Sequence, residues 1–470
     1  MPVQNRVNKT QNPSKNERST PKNLPKSGVR NWLWLGAGLA GVAMLSATAG
    51  ALLAVSLSST PLMQSKLSAQ ELEVFSSDDL ARMNMKLPEL TRPVNILVLG
   101  TKVITSDVDL PATESGYEPL VNSLDGLSDS MLLVRFDPKD GKLSLLSIPR
   151  DTYSWIEGVG ETKINEANRV GGPALSARSV NELLGGVGID RYVRINIQGI
   201  EKLVDALGGI TVYIPKDMKY TDNTQHLYID LKKGEQHLNG EEALQFLRFR
   251  YDTWGDIGRI QRQQMLMRAT IEQALNPNTL VRMPQILSVI QDHIDTNLSV
   301  EELVALVGFA SDMTRENTQM LMLPGEFNNP TSPNHPSYWL PNYSQIDEMM
   351  AAHFDRGYQS ERALAIDPAY LRIAIQDSTD RLRAVDAFVE KLGDGGYGNI
   401  YEDRSSIPPL EETRIIAQSG DVKSAERLRR LLGFGEVRID STGAIESDIT
   451  IQIGRDWLER QESYLPPDLW

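Results

Sequence analysis

From Trp32 through Leu57 the chain carries no charged residue. A run of that length, apolar on every side, is about what a helix needs to cross a hydrocarbon core of roughly 30 Å. It predicts one transmembrane helix over residues 32–57, which divides the chain into two unlike parts. Residues 1–31 are rich in Pro, Asn, Ser and Thr and carry Arg6, Lys9, Lys15, Arg18, Lys22, Lys26 and Arg30 against Glu17 alone. Such a segment cannot bury a core and is expected to be a disordered basic tail. The positive-inside rule then puts the tail in the cytoplasm and everything after Leu57 outside the cytoplasmic membrane, on the periplasmic or cell-wall side: a single-pass signal-anchor topology. A cleaved signal peptide is the alternative, since Ala47-Thr48-Ala49 suits a peptidase. The apolar run, however, outlasts the roughly 7–15 residues of a signal h-region.

The exterior part is long enough for more than one core. The chain has 470 residues, of which 40% are hydrophobic and 23% charged, the mixture of a multidomain globular protein. It contains no cysteine, which excludes a disulfide framework, a thiolate zinc site and a thiol nucleophile. Its formal charge of −14 argues against a general nucleic-acid binder, whose surface must displace counterions from phosphates.

Residues 58–92 are expected as a spacer with helical pieces. After Pro93, the run Val94-Asn95-Ile96-Leu97-Val98-Leu99-Gly100 predicts a buried strand. Met131 to Phe136 and Lys142 to Ile148 flank Asp137-Pro138-Lys139-Asp140-Gly141, the pattern of a hairpin. Helical periodicity follows in Pro173 to Leu184, Ile200 to Leu207, Ile257 to Leu275 and Val300 to Phe309. Strands are expected at Tyr192 to Asn196, Ile210 to Ile214 and Leu247 to Tyr251. Mixed elements on this scale indicate an α/β domain over residues 93–355. A polar linker at 356–367 leads to a smaller α/β domain at 368–460, with strands near Leu371 to Ile375, Thr413 to Ala417 and Ile449 to Ile453 and helices at Ala384 to Leu392 and Val422 to Leu432. A tail over 461–470 ends it.

The hairpin has a chemical consequence. Asp129 stands before its first strand and Arg150 after its second, so antiparallel pairing brings both to one end. If Leu247 to Tyr251 is a strand, Arg248 and Arg250 share one of its faces. On the following helix Arg259, Arg262 and Gln263 fall three and four apart and share a face. Arginines gathered in an acidic chain must be solvated, paired with carboxylates such as Asp252 and Asp256, or collected around an anion. A di- or triphosphate-like group suits them, because guanidinium groups bind phosphate oxygens bidentately and remain charged. A nearby Asp suggests a divalent metal on the same oxygens.

Several segments recur in a characteristic order: Gly126 to Met131, Ile148 to Tyr153, Lys163-Ile164-Asn165, Leu203 to Gly209, Gly234 to Gly240, Arg248-Phe249-Arg250 and Gly258 to Gln263. With Leu323-Pro324-Gly325 and Ser337-Tyr338-Trp339 they resemble the LytR-CpsA-Psr family over residues 93–355. Residues 368–457 look like the C-terminal domain often attached in that family, with Gln376-Asp377-Ser378-Thr379 where an Asn-Gly pair is usual. The resemblance implies an α-β-α sandwich with a central mixed sheet, an apolar groove for a polyprenyl chain, and a pyrophosphate held by arginines and magnesium, manganese being a substitute. It implies transfer of a phosphate-linked glycan from a polyprenyl-pyrophosphate carrier to peptidoglycan or another wall acceptor. Arg150, Arg248, Arg250, Arg259 and Gln263 would bind phosphate, joined by Lys163 and Arg262; Asp129 would hold the metal, and Asp151 would assist the acceptor hydroxyl as base.

Two positions depart from the family pattern. Lys102 stands where a metal-binding Asp is usual, so either Asp107 or Asp109 replaces that carboxylate or Lys102 itself contacts phosphate. Leu127 stands where an Arg commonly precedes Ser-Asp. Both favour the alternative of a non-catalytic lipid- or glycan-binding envelope protein, which the retained arginines oppose; hydrolysis of the polyprenyl pyrophosphate is a further alternative. No Gly-x-Ser-x-Gly, His-Glu-x-x-His or Gly-x-x-x-x-Gly-Lys motif offers another chemistry. His237 is expected to pack or cap a turn, and Tyr338-Trp339 to be structural.

Overall fold

A continuous apolar run makes a strand only where both of its faces are covered, and the run after Pro93 meets that condition. In the computed structural model it is β1 (Val94–Lys102), in the interior of a sheet. The structure describes residues 64, 67–75, 81–82, 88–102, 124–222, 227–249, 255–274, 276, 279, 282–328, 336–355, 368–379, 384–444 and 446–462. The expected basic tail and membrane helix, Asp107, Asp109 and Arg250 lie outside them. Among the described residues no helix is long and apolar enough to cross a membrane.

β2 (Leu127–Asp137) and β3 (Lys142–Ile148) form the expected hairpin. Its turn is fixed by Asp137, whose carboxylate accepts the backbone N–H groups of Lys139 and Asp140 at 3.0 and 3.1 Å, an Asx turn. Next come the short hairpin β4 (Tyr153–Ile156) and β5 (Gly160–Lys163), then α1 (Glu166–Leu183), β6 (Arg191–Asn196), α2 (Ile197–Leu207) and β7 (Ile210–Ile214). β8 (Gly234–Leu238) pairs with β7 and leads to α3 (Gly240–Arg248) and α4 (Gly255–Ala274). α5 (Met283–His293), β9 (Ile294–Thr296), α6 (Val300–Ser311), β10 (Thr318–Met322), β11 (Gly325–Phe327), β12 (Trp339–Pro341) and α7 (Tyr343–His353) complete the unit.

The six-stranded sheet runs β9-β6-β1-β2-β3-β10. It is mixed: β1 with β6 and β3 with β10 are parallel, the other pairs antiparallel. On one face Leu97, Leu99, Met131, Leu133, Leu146 and Ile148 pack against Ala177 and Val180 of α1 and Ile346 and Met350 of α7. On the other, Leu132, Val134 and Leu145 meet Met267 and Ile271 of α4, while Ile96 meets Leu303 and Leu306 of α6. Phe75, from the segment expected as a spacer, is buried with its ring 5.2 Å from that of Tyr192. Part of that segment therefore belongs to the core.

One expectation is borne out with an addition and one needs correction. The helix expected from Pro173 is present, but a first helical stretch from Glu166 precedes it in α1; the chain breaks helical geometry at Gly171 and Gly172 and resumes it at Pro173, whose fixed φ suits a helix start. The strand expected over Leu247 to Tyr251 is absent where described, since Leu247 and Arg248 close α3 and Phe249 is its extended C-cap. The alternation was overridden by a capping box upstream. Asn239 accepts from the Glu242 N–H at 3.0 Å and the Glu242 carboxylate accepts from the Asn239 N–H at 2.9 Å, which starts a helix whose Ala243 and Phe246 are fully buried.

The remaining chain builds β13 (Ile373–Asp377), α8 (Ala384–Asp394), β14 (Ile400–Glu402), β15 (Arg414–Ala417), α9 (Val422–Leu432), β16 (Glu436–Arg438), β17 (Ile449–Ile453) and α10 (Arg455–Glu462). Its mixed sheet, ordered β14-β13-β17-β15-β16, has its own apolar cluster centred on Phe388, Ile415 and Ile451. This second domain covers the edge of the first sheet: the backbone N–H groups of Met320 and Met322 on β10 donate to the carbonyls of Ile439 and Gln418 at 3.2 and 2.9 Å. Arg268 of α4 donates to Asp440 at 2.6 Å across the same boundary.

Two ion pairs lie deep beside β6. Arg194 and Asp295, 3% and 2% exposed, meet at 2.6 Å, and Arg191 meets Glu302 at 2.6 Å. Removing one partner of such a pair strands the other without water. Asp295→Ala is expected to lower the unfolding free energy by about 3–5 kcal/mol, read as a lower midpoint in denaturant; a midpoint within error of the unmodified chain would show that Arg194 finds full compensation elsewhere.

Candidate functional site

Asp129 owes its position to an irregularity in the sheet. The β1–β2 register steps from Gly100 opposite Ser130 to Thr101 opposite Ser128, so Asp129 is the extra residue of a β-bulge. Bulges re-aim a side chain and interrupt pairing. Its carboxylate accepts from Arg150 Nη1 at 2.6 Å. The hairpin has thus brought its two ends together as the sequence predicts. Arg150 Nε lies 3.4 Å from Asp151 Oδ2, and the other oxygen of Asp151 accepts from Lys163 Nζ at 2.7 Å. Two cations and two carboxylates alternate in one chain of contacts, each side chain between 11% and 30% exposed.

Backbone hydrogen bonds hold the three contributing segments in place. Asn165 N–H donates to the Arg150 carbonyl at 3.3 Å, Ile164 N–H to Thr152 at 2.9 Å, and Ser128 N–H to the Asn165 carbonyl at 3.4 Å. The motifs around Asp129, Arg150 and Lys163 are therefore stitched side by side although they are far apart in sequence. Trp339 is 1% exposed, and its backbone N–H donates to the Asp151 carbonyl at 2.9 Å. Its neighbour Tyr338 lies against the site instead, with Lys163 Nζ 5.8 Å from its ring centre.

The other arginines singled out lie at the end of α3 and along α4. Arg248 is half-buried at the end of α3, and Arg259 lies on α4 with Arg262 and Gln263. The expected helical spacing is realised. Arg262, however, is 4% exposed, and its Nη2 donates to the Phe249 carbonyl at 2.5 Å, with its guanidinium 5.7 Å from the Phe249 ring. It thereby ties α4 to the C-cap of α3, next to Arg248. Gln263 is half-buried. Lys102 is the last residue of β1, opposite Leu127.

Other motif residues have packing duties. Asp205 accepts the Gly240 N–H at 2.8 Å. A Cβ on Gly240 would stand 2.3 Å from the Glu201 carbonyl, so only glycine lets α3 start this close to α2. His237 reaches the Gly208 carbonyl at 2.9 Å and the Thr211 hydroxyl at 3.3 Å, the expected turn-packing role.

Residues that the sequence did not single out support the site from behind. Asn168 of α1 donates to the carbonyls of Leu124 and Gly126 at 2.9 and 2.7 Å, fixing the approach to Asp129, and Arg194 donates to Asn168 Oδ1 at 3.3 Å. The available signal was Arg191 and Arg194 in a short strand with Tyr192, Val193 and Ile195, since buried cations require partners.

The carboxylates also bear on a metal. Among the described residues no group of three or more His, Asp or Glu could hold one. Asp129 and Asp151 offer a few oxygens already shared with cations. That suits magnesium, which keeps several waters and binds through one or two carboxylates plus substrate phosphates, better than an ion that needs a full protein cage.

Residues 59–355 match the family model described as the LytR_cpsA_psr family, and residues 370–457 match the model described as LytR cell envelope-related transcriptional attenuator. A Bacillus cereus protein named polyisoprenyl-teichoic acid–peptidoglycan teichoic acid transferase TagU is 35% identical over 238 residues, 50% of this chain and 70% of that one. The Staphylococcus aureus regulatory protein MsrR is 34% identical over 173 residues, 36% of this chain and 51% of its own length. Among solved structures, that of Bacillus subtilis TagV is 29% identical, with 56% of this chain and 98% of TagV covered at a TM-score of 0.46.

Arg262→Met should leave the chain folded but release Phe249. Loss of one hydrogen bond from a charged donor, about 1.5–3 kcal/mol, should weaken binding of inorganic pyrophosphate roughly 10- to 100-fold, with faster hydrogen exchange at the α3–α4 junction. Unchanged affinity and exchange would mean that Arg262 does not position its neighbours.

Proposed function

Because the chain belongs to the LytR-CpsA-Psr family, we propose that it is a glycopolymer transferase, moving a phosphate-linked glycan from a polyprenyl-pyrophosphate carrier to peptidoglycan or another wall acceptor. The observation that carries this reading is the linked set Asp129–Arg150–Asp151–Lys163, in a chain similar to a protein named as a teichoic acid transferase. We further propose that residues 32–57 anchor it in the cytoplasmic membrane with both folded domains outside, where carrier and wall meet.

In this mechanism the carboxylates keep the cations in place until a better anion arrives. Arg150 and Lys163 then turn to the pyrophosphate, joined by Arg248, Arg250, Arg259 and Gln263. The acceptor hydroxyl oxygen forms a bond to the glycan-bearing phosphorus as the bridging P–O bond breaks, and the polyprenyl monophosphate leaves with that electron pair. Negative charge grows on the leaving phosphate, where arginines aimed at it stabilise the transition state more than the ground state. Asp151, released by Lys163, accepts the hydroxyl proton. Asp129, together with the substrate phosphates, would hold magnesium or manganese, which supplies charge neutralisation of the pyrophosphate when bound. Lys102 supports the competing reading of a lipid- or glycan-binding protein without turnover, since an ammonium at that position repels a divalent ion.

The deciding experiment incubates the chain with a labelled lipid pyrophosphoglycan and peptidoglycan and looks for a phosphodiester-linked product. Arg150→Ala and Arg250→Ala should each lower product formation by on the order of 10²-fold without unfolding the chain, and Arg→Lys should also be costly because a point charge cannot replace a bidentate fork. Near-normal turnover in both alanine variants would remove the arginines from the mechanism. Without lipid, calorimetric titration should find weak magnesium binding, strengthened by Lys102→Asp and abolished by Asp129→Ala. Tight binding that survives Asp129→Ala but is lost in Asp107→Ala or Asp109→Ala would move the metal to the insertion.

A further inference from the structure

The β4–β5 hairpin has two unlike faces. Its register sets Tyr153 opposite Lys163 and Trp155 opposite Glu161, which puts these four side chains on one side, while Ser154 and Ile156 are buried on the other. The outward side is unusually aromatic for a surface: Trp155 is 52% exposed. The Tyr338 ring stands edge-on to Tyr153 with centres 5.0 Å apart, and Tyr153 Oη donates to Glu161 at 2.6 Å. Tyr343, at the start of α7, is 58% exposed. Partial burial and the charges of Glu161 and Glu182 raise its phenol above the ordinary value. Lys163 ends this series and also bonds Asp151. A track of rings and carboxylates thus leads outward from the site cations.

We propose that this face, Tyr153, Trp155, Glu161 and Tyr338 beside Lys163, is the subsite for the sugar rings of the acceptor glycan; the proposal rests on the transfer function above. A pyranose presents C–H groups of slight positive charge on one face, which complement the negative face of an aromatic ring. Its hydroxyls donate to carboxylates placed beside that ring. Glu161, whose partner is the neutral Tyr153 phenol, repels the donor's phosphates, so the track fits a neutral sugar and not the pyrophosphate. It also disfavours an anionic lipid surface, which attracts basic segments and repels acidic ones. Continuity through Lys163 presents a hydroxyl of the bound sugar to the phosphate held by Arg150.

The full chain in detergent would be titrated calorimetrically with an uncharged tetrasaccharide of N-acetylglucosamine, and acceptor KM would be measured separately. Trp155→Ala, Tyr338→Ala and Glu161→Gln should each weaken the tetrasaccharide and raise acceptor KM by about three- to tenfold, the scale of one lost aromatic contact, with donor affinity unchanged. Trp155→Phe should restore most of the loss, and the exposure of Trp155 means that its replacement should leave the melting temperature in place. If the unmodified chain transfers glycan and the variants keep both values, the subsite is overturned while the transfer reading stands. If the unmodified chain transfers nothing but Trp155→Ala still weakens the tetrasaccharide, the transfer reading fails and the face remains a glycan site. In the reconstituted chain, tryptophan quenching by bromine-labelled lipid that falls in Trp155→Phe relative to the unmodified chain, whose Trp32 and Trp34 lie in the proposed anchor, would make Trp155 a membrane contact and overturn the proposal.

Discussion

Cations that are partly withdrawn from water need countercharges, and in this protein Asp129 and Asp151 supply them. Both lie within ion-pair distance of Arg150, and Asp151 bonds Lys163 as well. Partly buried cations without such partners would carry a desolvation penalty and repel one another. With them, the four-residue set is close to electrically balanced, and the chain as a whole can remain acidic. On the proposed function, exchange of carboxylate for phosphate around the same guanidinium would cost little reorganisation, the condition under which preorganised charge is most effective.

Everything that locates those four side chains is ordinary sheet architecture. The β2–β3 hairpin sets Arg150 opposite the start of β2, and a bulge against β1 turns Asp129 out of the ladder. Three backbone hydrogen bonds then tie Ser128, Arg150, Thr152 and the Ile164-Asn165 pair together. Behind them, Asn168 and the Arg194–Asp295 pair secure the loop that enters β2. The four side chains are thus carried on strands or, for Arg150 and Asp151, on the turn between two of them, while the glycine-bearing motifs at Leu203 to Gly209 and Gly234 to Gly240 serve the close approach of α2 and α3.

The sequence made part of this legible. Apolar runs and a Pro/Gly turn locate β1, β2 and β3, and symmetry about the turn predicts the meeting of Asp129 with Arg150. Helical spacing likewise predicts α4. What the pattern could not reveal depends on long-range partners: the bulge at Asp129 needs the β1 register, and the burial of Arg262 needs the Phe249 carbonyl. Alternation in Leu247 to Tyr251 predicts a strand, but the capping box that ends at Glu242, five residues before the ambiguous stretch, outweighs a short period-two pattern. Lys102 is placed at the end of β1, next to the bulge, so its departure from the family pattern falls beside Asp129.

The second domain enters the same network through α4. On one side of that helix Arg262 grips the Phe249 carbonyl; a turn and a half later Arg268 bonds Asp440, and before it Gln261 reaches Ser405 at 3.5 Å. A helix is stiff over this length, so contacts at its two ends are not independent. The second domain also closes the β10 edge, which otherwise presents unpaired backbone groups. Its docking therefore meets two separate needs, covering a sheet edge and bracing the helix that bears Arg259, Arg262 and Gln263. Detaching it would expose the first and loosen the second, although none of its described residues belongs to the Asp129–Arg150–Asp151–Lys163 set.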